Sequence, residues 1–169
     1  MMEKLSAEEF DRNLEEVQKR LKAALESSGR AQSEVTLLAA TKTVDPDTVN
    51  YAVDRGIKYV GENRVQELLS KYKLLKPVHS HFIGHLQTNK VKDIIDKVEM
   101  IESVHSLKLA KEISKQAAAA KIQMDVLLEI NIGNEETKSG FNPCDAENAV
   151  REIAKLPNIQ IKGLMCIPP

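Results

Sequence analysis

Lys42 closes a short apolar run, Val35-Thr36-Leu37-Leu38-Ala39-Ala40-Thr41, and a turn signal, Asp45-Pro46, follows at once. An ammonium group at the mouth of a buried strand must be desolvated, paired or chemically used. Lysines that form Schiff bases occupy such places because burial shifts their pKa readily. The competing reading is a lysine that snorkels from a strand end to water. Three histidines, His79, His81 and His85, form a second constellation, since His-x-His on a strand puts two imidazoles on one face. Only His105 follows them, with no later His-rich or Asp-rich strand end, so structural histidines are favoured and no metal is assigned. The polar segment from Asn131 to Phe141 supplies Lys138, a second lysine able to reach inward from a long loop.

The elements that must position these residues follow from periodicity and caps. Ser6 and Glu9 have capping-box spacing, and Phe10, Leu14, Val17, Leu21 and Leu25 mark one helical face. An amphipathic helix over 6–28, packing on the rest of the fold, is the expectation. Strands are expected at 35–41, 57–60, 78–83, 98–101, 125–130 and 159–165. Helices are expected at 46–55, 64–75, 89–95, 106–120 and 143–155, the second-listed proline signal, Asn142-Pro143, again placing a cap before the helix. Such alternation argues for a parallel sheet with right-handed crossovers. Thr41-Lys42-Thr43 stands where a dinucleotide fold would carry its glycine-rich turn, so a (β/α) barrel is favoured over an open sheet. In a barrel the active face lies past the carboxyl ends of the strands, where Lys42, Glu62-Asn63, His85, Asn131 and Cys166 all fall.

Composition narrows the function classes. A chain of 169 residues with 42% hydrophobic residues fits one domain with a substantial core. With 24 basic against 25 acidic residues, no electrostatic footprint for nucleic acid or an anionic membrane stands out. Lys71, Lys73 and Lys76 read as a solvated helix face. The charged first residues are unlike a signal peptide and no stretch approaches membrane-spanning length, so a cytoplasmic location is expected. Cys144 and Cys166 are widely separated and read as free thiols.

Five segments converge on a known family: Leu37–Thr43, Gly61-Glu62-Asn63-Arg64-Val65-Gln66-Glu67, the run His81 to Lys90 (His-Phe-Ile-Gly-His-Leu-Gln-Thr-Asn-Lys), Lys138-Ser139-Gly140 and Gly163-Leu164-Met165. In order and spacing they resemble the YggS/PROSC family of pyridoxal phosphate homeostasis proteins. The resemblance implies a TIM-type barrel like the amino-terminal domain of alanine racemase (fold type III), holding pyridoxal 5′-phosphate (PLP) as a Schiff base on Lys42. It implies a place near the cofactor for Asn63, and pocket-wall roles for His81 and Met165. The alternative for Asn63 is a cap on the helix that starts at Arg64. Small Ala40 beneath Lys42 would leave room for a flat ring on an apolar floor, favouring a desolvated amine.

The family fold continues through two further strands that carry its phosphate cup. The expectation for 1–169 is therefore six of eight strands, an incomplete barrel domain with exposed edges, weaker anchoring of PLP and lower stability than the full fold. Three functions follow. The first is a PLP binding and homeostasis protein without turnover, with PLP-dependent apoenzymes as partners. The second is a fragment of a fold type III racemase or decarboxylase, which would need an acid or base from another domain. The third is a metal-dependent barrel hydrolase resting on the histidines.

Overall fold

The computed structural model describes residues 6–133, 135 and 138–168. The chain divides into two compact units, 1–37 and 38–169. The first contains helix α1 (Ala7–Ser28), opened by the expected capping box. Ser6 Oγ accepts the Glu9 N–H at 3.2 Å, and the Glu9 carboxylate accepts the Ser6 N–H at 3.0 Å. Gly29 closes it at φ +66°, the left-handed conformation that glycine adopts without steric cost. A short 3-10 turn, Gln32–Glu34, follows.

The second unit is a six-stranded, all-parallel sheet in sequential order. Its strands are β1 (Leu38–Ala40), β2 (Tyr59–Glu62), β3 (His79–Phe82), β4 (Met100–Val104), β5 (Met124–Glu129) and β6 (Ile159–Met165). Between them run α2 (Pro46–Asp54), α3 (Val65–Lys71), α4 (Val91–Ile94), α5 (Leu107–Ala120) and α6 (Ala146–Ile153). β1 and β6 are the two edges, and no ladder joins them into a closed barrel among the described residues.

Register assigns the two faces of the sheet. Phe82 pairs with Glu62 and Ile101, and Ile101 with Val126, so these side chains share the helix-covered face. There Phe82, Ile101, Val126 and Leu128 meet Leu68, Val91, Ile94, Leu109, Ile113 and Ile153, all fully buried or nearly so. Each such side chain contributes roughly 1.5–3 kcal/mol of burial. The opposite face carries Ala40, Gly61, His81 and Met100, which follow one another in register across β1 to β4.

Several boundaries differ from the sequence reading, for local reasons. Val35 does not start β1, because its N–H turns back to Gln32 O. Ile57 belongs to the end of α2: Gly56, at φ +92°, and Ile57 donate to Val53 O and Ala52 O in a Schellman-like closure, which delays β2 to Tyr59. β2 then extends through Gly61 and Glu62, residues that read as punctuation. α3 stops at Lys71 rather than Leu75, and the Leu74 N–H bonds back to Lys71 O. Residues 143–145 form a 3-10 turn under the Asn142 cap before α6 begins, and β4 runs on to Val104 past a register shift. β6 occupies the range expected.

Gly84 is constrained by close approach. A Cβ there would lie 2.1 Å from the carbonyl oxygen of Asn63, a backbone atom that cannot swing away. Gly84→Ala is expected to cost about 1–3 kcal/mol, read as a lower melting temperature, with Asn63 resonances moving most in an NMR comparison. Unchanged melting would contradict this contact.

Candidate functional site

Past the carboxyl ends of the strands, three segments stand side by side. Thr41 to Val44 follows β1, Asn63 follows β2, and Ile83 to His85 follows β3. Thr41 N–H and Ile83 N–H continue the ladder to Gly61 O and Glu62 O, at 2.9 and 3.0 Å. These bonds hold the segments at one level. Lys42 is exposed, and no ion-pair or hydrogen-bond partner for its ammonium is found among the described residues. The expected desolvated amine is thus not what the fold provides: β1 is an edge strand, and Ala40 beneath Lys42 is exposed as well.

Asn63 sits at the centre of the strand ends. It does not cap α3, whose N-cap is Arg64 with no side-chain cap bond. Its Oδ1 is buried and has no hydrogen-bond partner among the described residues. A buried acceptor without a donor costs about 1–3 kcal/mol, so this oxygen is a place where a bound molecule can repay a deficit. Asn63 lines a cavity of about 260 Å³ together with Gly84, His85, Glu129, Asn131, Lys138 and Ser139.

The far wall of that cavity is the segment after β5. Asn131 organises it, donating from Nδ2 to Glu135 O at 2.8 Å and accepting the Glu135 N–H at 3.1 Å. Ser139 Oγ donates to the Glu129 carboxylate at 3.0 Å, and Phe141 N–H to Glu129 O at 2.8 Å. Asn134, Glu136 and Thr137 of this loop lie outside the described residues. Lys138 lines the cavity and pairs with Glu135 at 2.7 Å.

Of the five sequence-selected residues, Asn63 and Lys138 line this cavity; Lys42, His81 and Met165 do not. His81 is deeper, on β3, buried, with Nδ1 2.6 Å from Glu102 Oε1 and its ring edge-on to Tyr59. His79 stacks on Tyr59 and pairs with Glu99 at 2.6 Å. Met165 ends β6 opposite Glu129.

Two features escaped the sequence reading. His85 and His105 stack with ring centroids 4.3 Å apart. Burial, and then the His85 charge, lower the pKa of His105 below its ordinary 6.5, against the raising effects of Ser103 O and Glu129. A base whose folded pKa is depressed binds fewer protons folded than unfolded, so stability falls as pH drops below 6.5 and levels off below the folded value. At pH 6.5, where a free imidazole is half protonated, less than half of His105 is expected to carry the charge. Proton NMR titration of its ring checks this; a midpoint at or above 6.5 would contradict it.

The second missed feature corrects an expectation. Lys71 is not on a solvated face: it is 6% exposed. It belongs to a buried cluster with Glu62 and Glu67, because α3 turns its Lys71 face onto the end of β2.

The pattern of the family described as alanine racemase, N-terminal domain, matches residues 6–169. The pyridoxal phosphate homeostasis protein of Aquifex aeolicus (strain VF5) is 45% identical over 166 residues, covering 97% of this chain and 71% of that protein. The chain belongs to the pyridoxal phosphate homeostasis protein family. Within that family fold, a crystal structure of an unknown protein from Bifidobacterium adolescentis superposes with a TM-score of 0.88 at 37% identity, covering 95% of this chain and 70% of that one. PipY of Synechococcus elongatus PCC7942, in a structure with PLP bound, gives 0.72 at 28% identity, over 89% of this chain and 70% of PipY. The homeostasis-protein fold is thus a TIM-barrel-like sheet, here with six parallel strands. Among the described residues no helix is long and apolar enough to cross a membrane.

Proposed function

We propose that this chain binds PLP with Lys42 as its covalent partner, and that it serves PLP homeostasis as a carrier without turnover of its own. The observation that carries the reading is the geometry of the strand ends. An exposed lysine amine and a buried Asn63 amide oxygen, both without a partner among the described residues, stand one strand apart, above the small residues Ala40 and Gly61. When bound, the cofactor supplies an aldehyde that a neutral amine attacks with loss of water, a flat ring and a phosphate.

The residues fit such a group. Gly61 leaves no side chain between Leu38 and Ile83, since a Cβ there would sit 2.7 Å from Leu38 Cδ2 and 2.8 Å from Ile83 Cδ1. Asn63 Oδ1 accepts one hydrogen bond from the ligand side. His81, fixed by Glu102, would support the site from β3 beneath the strand ends, and Met165 would back it from the end of β6 without lining the cavity. Lys138, on the cavity side opposite Asn63, is a second amine within the same site, held by Glu135 until that ion pair opens.

The carrier reading is supported by the relatives, which are named pyridoxal phosphate homeostasis proteins, and by the commitments of the acids nearest Lys42. Racemases and decarboxylases need a second acid or base at the reacting carbon. Among the described residues beside Lys42, the acids Glu62 and Glu67 are committed to Lys71. Delivery of PLP to apoenzymes is the role such a carrier would have, in the cytoplasm. Incubation with PLP and an L-amino acid in deuterated water tests it: PLP is expected to bind while the α-proton signal persists. Loss of that signal at enzymatic rates would overturn the carrier reading.

A further inference from the structure

Both neighbours of Lys42 are tied to α3 by an ionic cluster that cofactor contact does not use. Lys71 Nζ lies 2.8 Å from Thr41 O, from Glu62 Oε1 and from Glu67 Oε1, so all three ammonium N–H groups have acceptors. Glu62 Oε1 also accepts the Thr41 hydroxyl at 2.7 Å, and Glu67 Oε1 accepts the backbone N–H of Thr43. The turn is closed by Val44 N–H on Thr41 O at 3.1 Å. Within it Thr43 is held at φ +62°. That region is disfavoured for a β-branched residue and persists only where the surroundings over-determine it.

The cluster is placed where it can do this. Glu62 has the parity of Val60 on β2 and so points to the helix side, where it is 2% exposed. Burial works to raise the Glu67 pKa. The Lys71 hydrogen bond, the Thr43 N–H and the Lys71 and Arg64 charges outweigh it and leave that carboxyl below its usual value. Glu67 is therefore ionised when it grips Thr43. Apolar side chains of similar volume commonly stabilise a fold as well as a buried ion pair does. Stability alone is thus a weak reason for three charges at this position.

We propose that Lys71, with Glu62 and Glu67, is the positioning device of Lys42: it clamps Thr41 and Thr43, holds the strained turn between them, and so fixes where the Lys42 amine enters the site. The inference rests on the assignment of Lys42 as the cofactor lysine. Lys71 itself, enclosed and with its donors used, is not a second reactive amine.

The test compares the wild-type chain with Lys71→Met/Glu62→Gln, which removes opposite charges together, and with the same variant carrying Thr43→Gly. Two readouts accompany thermal melting. One is hydrogen exchange of the Thr43 and Val44 amides without cofactor. The other is the preference of PLP with cyanoborohydride for Lys42 over the exposed lysines, found by mass spectrometry. In the paired variant both amides are expected to exchange at least about tenfold faster, and the preference to fall about tenfold, the range set by strain of this kind. Thr43→Gly, by removing the strain, is expected to bring the preference back toward wild type, which a merely structural cluster would not produce.

Unchanged exchange and preference in a variant that melts cooperatively would overturn the clamp, as would failure of Thr43→Gly to restore the preference. If the paired variant does not melt cooperatively, Glu67→Ala takes the same readouts, with unchanged Thr43 exchange overturning the proposal. A wild type with protected amides but no label on Lys42 overturns the cofactor assignment and leaves the clamp standing. Unprotected amides in the wild type overturn the clamp whatever Lys42 does.

Discussion

Lys42→Ala is expected to lower borohydride-trapped PLP per chain at least about tenfold, because the covalent anchor is lost while the surrounding contacts remain. The fold should hardly notice. Lys42 is exposed and no partner for its ammonium is found among the described residues, so the change in stability is expected within about 0.5 kcal/mol. That combination makes the variant informative, since loss of label cannot then be assigned to unfolding. Absorbance of the PLP adduct in a titration, followed by reduction and mass determination, measures the effect. Equal labelling of the variant and the wild type would mean that another amine carries the cofactor.

Lys71→Met alone is expected to be the most destabilising single change near the site. It leaves the buried Glu62 carboxylate, whose Oε2 already lacks a partner among the described residues, without its counter-charge. Removing one member of a buried pair costs about 3–5 kcal/mol, roughly 6–20 °C of melting temperature for a chain of this size. Adding Glu62→Gln should recover much of the loss, because neutralising both partners removes the uncompensated charge. Melting curves of wild type, single and paired variants check this. A single variant that melts within about 2 °C of wild type would show that the cluster is solvated rather than buried.

The sequence was most legible where a signal is local. Ser6 with Glu9, and Asp45 with Pro46, each cap the helix they were read to cap, and the alternation of strands and helices gave the parallel sheet. The limits of β2 were not legible, because Gly56 looks like an end but closes α2 through Ile57, and Gly61-Glu62 looks like a turn but pairs with β3. Lys42 and Asn63 were placed past the strand ends by the alternation of strands and helices, and they follow the adjacent strands β1 and β2.

Lys71 was misread because its partners are set by tertiary contact. Lys71, Lys73 and Lys76 form a loose charged run, and in isolation such a run is a solvated face. Two signs were present nonetheless. Glu67 and Lys71 are four apart on a helix, and Glu62 shares strand parity with the buried Val60, which obliges it to find a cation. The pairing of His85 with His105 depends on β3 and β4 lying side by side, and Gly84 on how closely the chain at Asn63 passes. Neither spacing announces itself.

The central claim is that Lys42 is the amine that holds PLP. Its most direct test is reduction of the PLP-saturated wild-type chain with borohydride, digestion and mass spectrometry of the lysine-bearing peptides. The account predicts a pyridoxyl-phosphate mass increment on Lys42 at close to one per chain, with Lys138 labelled to a minor extent and Lys71 not at all. A predominant label on any other lysine, or none on Lys42 at saturating PLP, would contradict it.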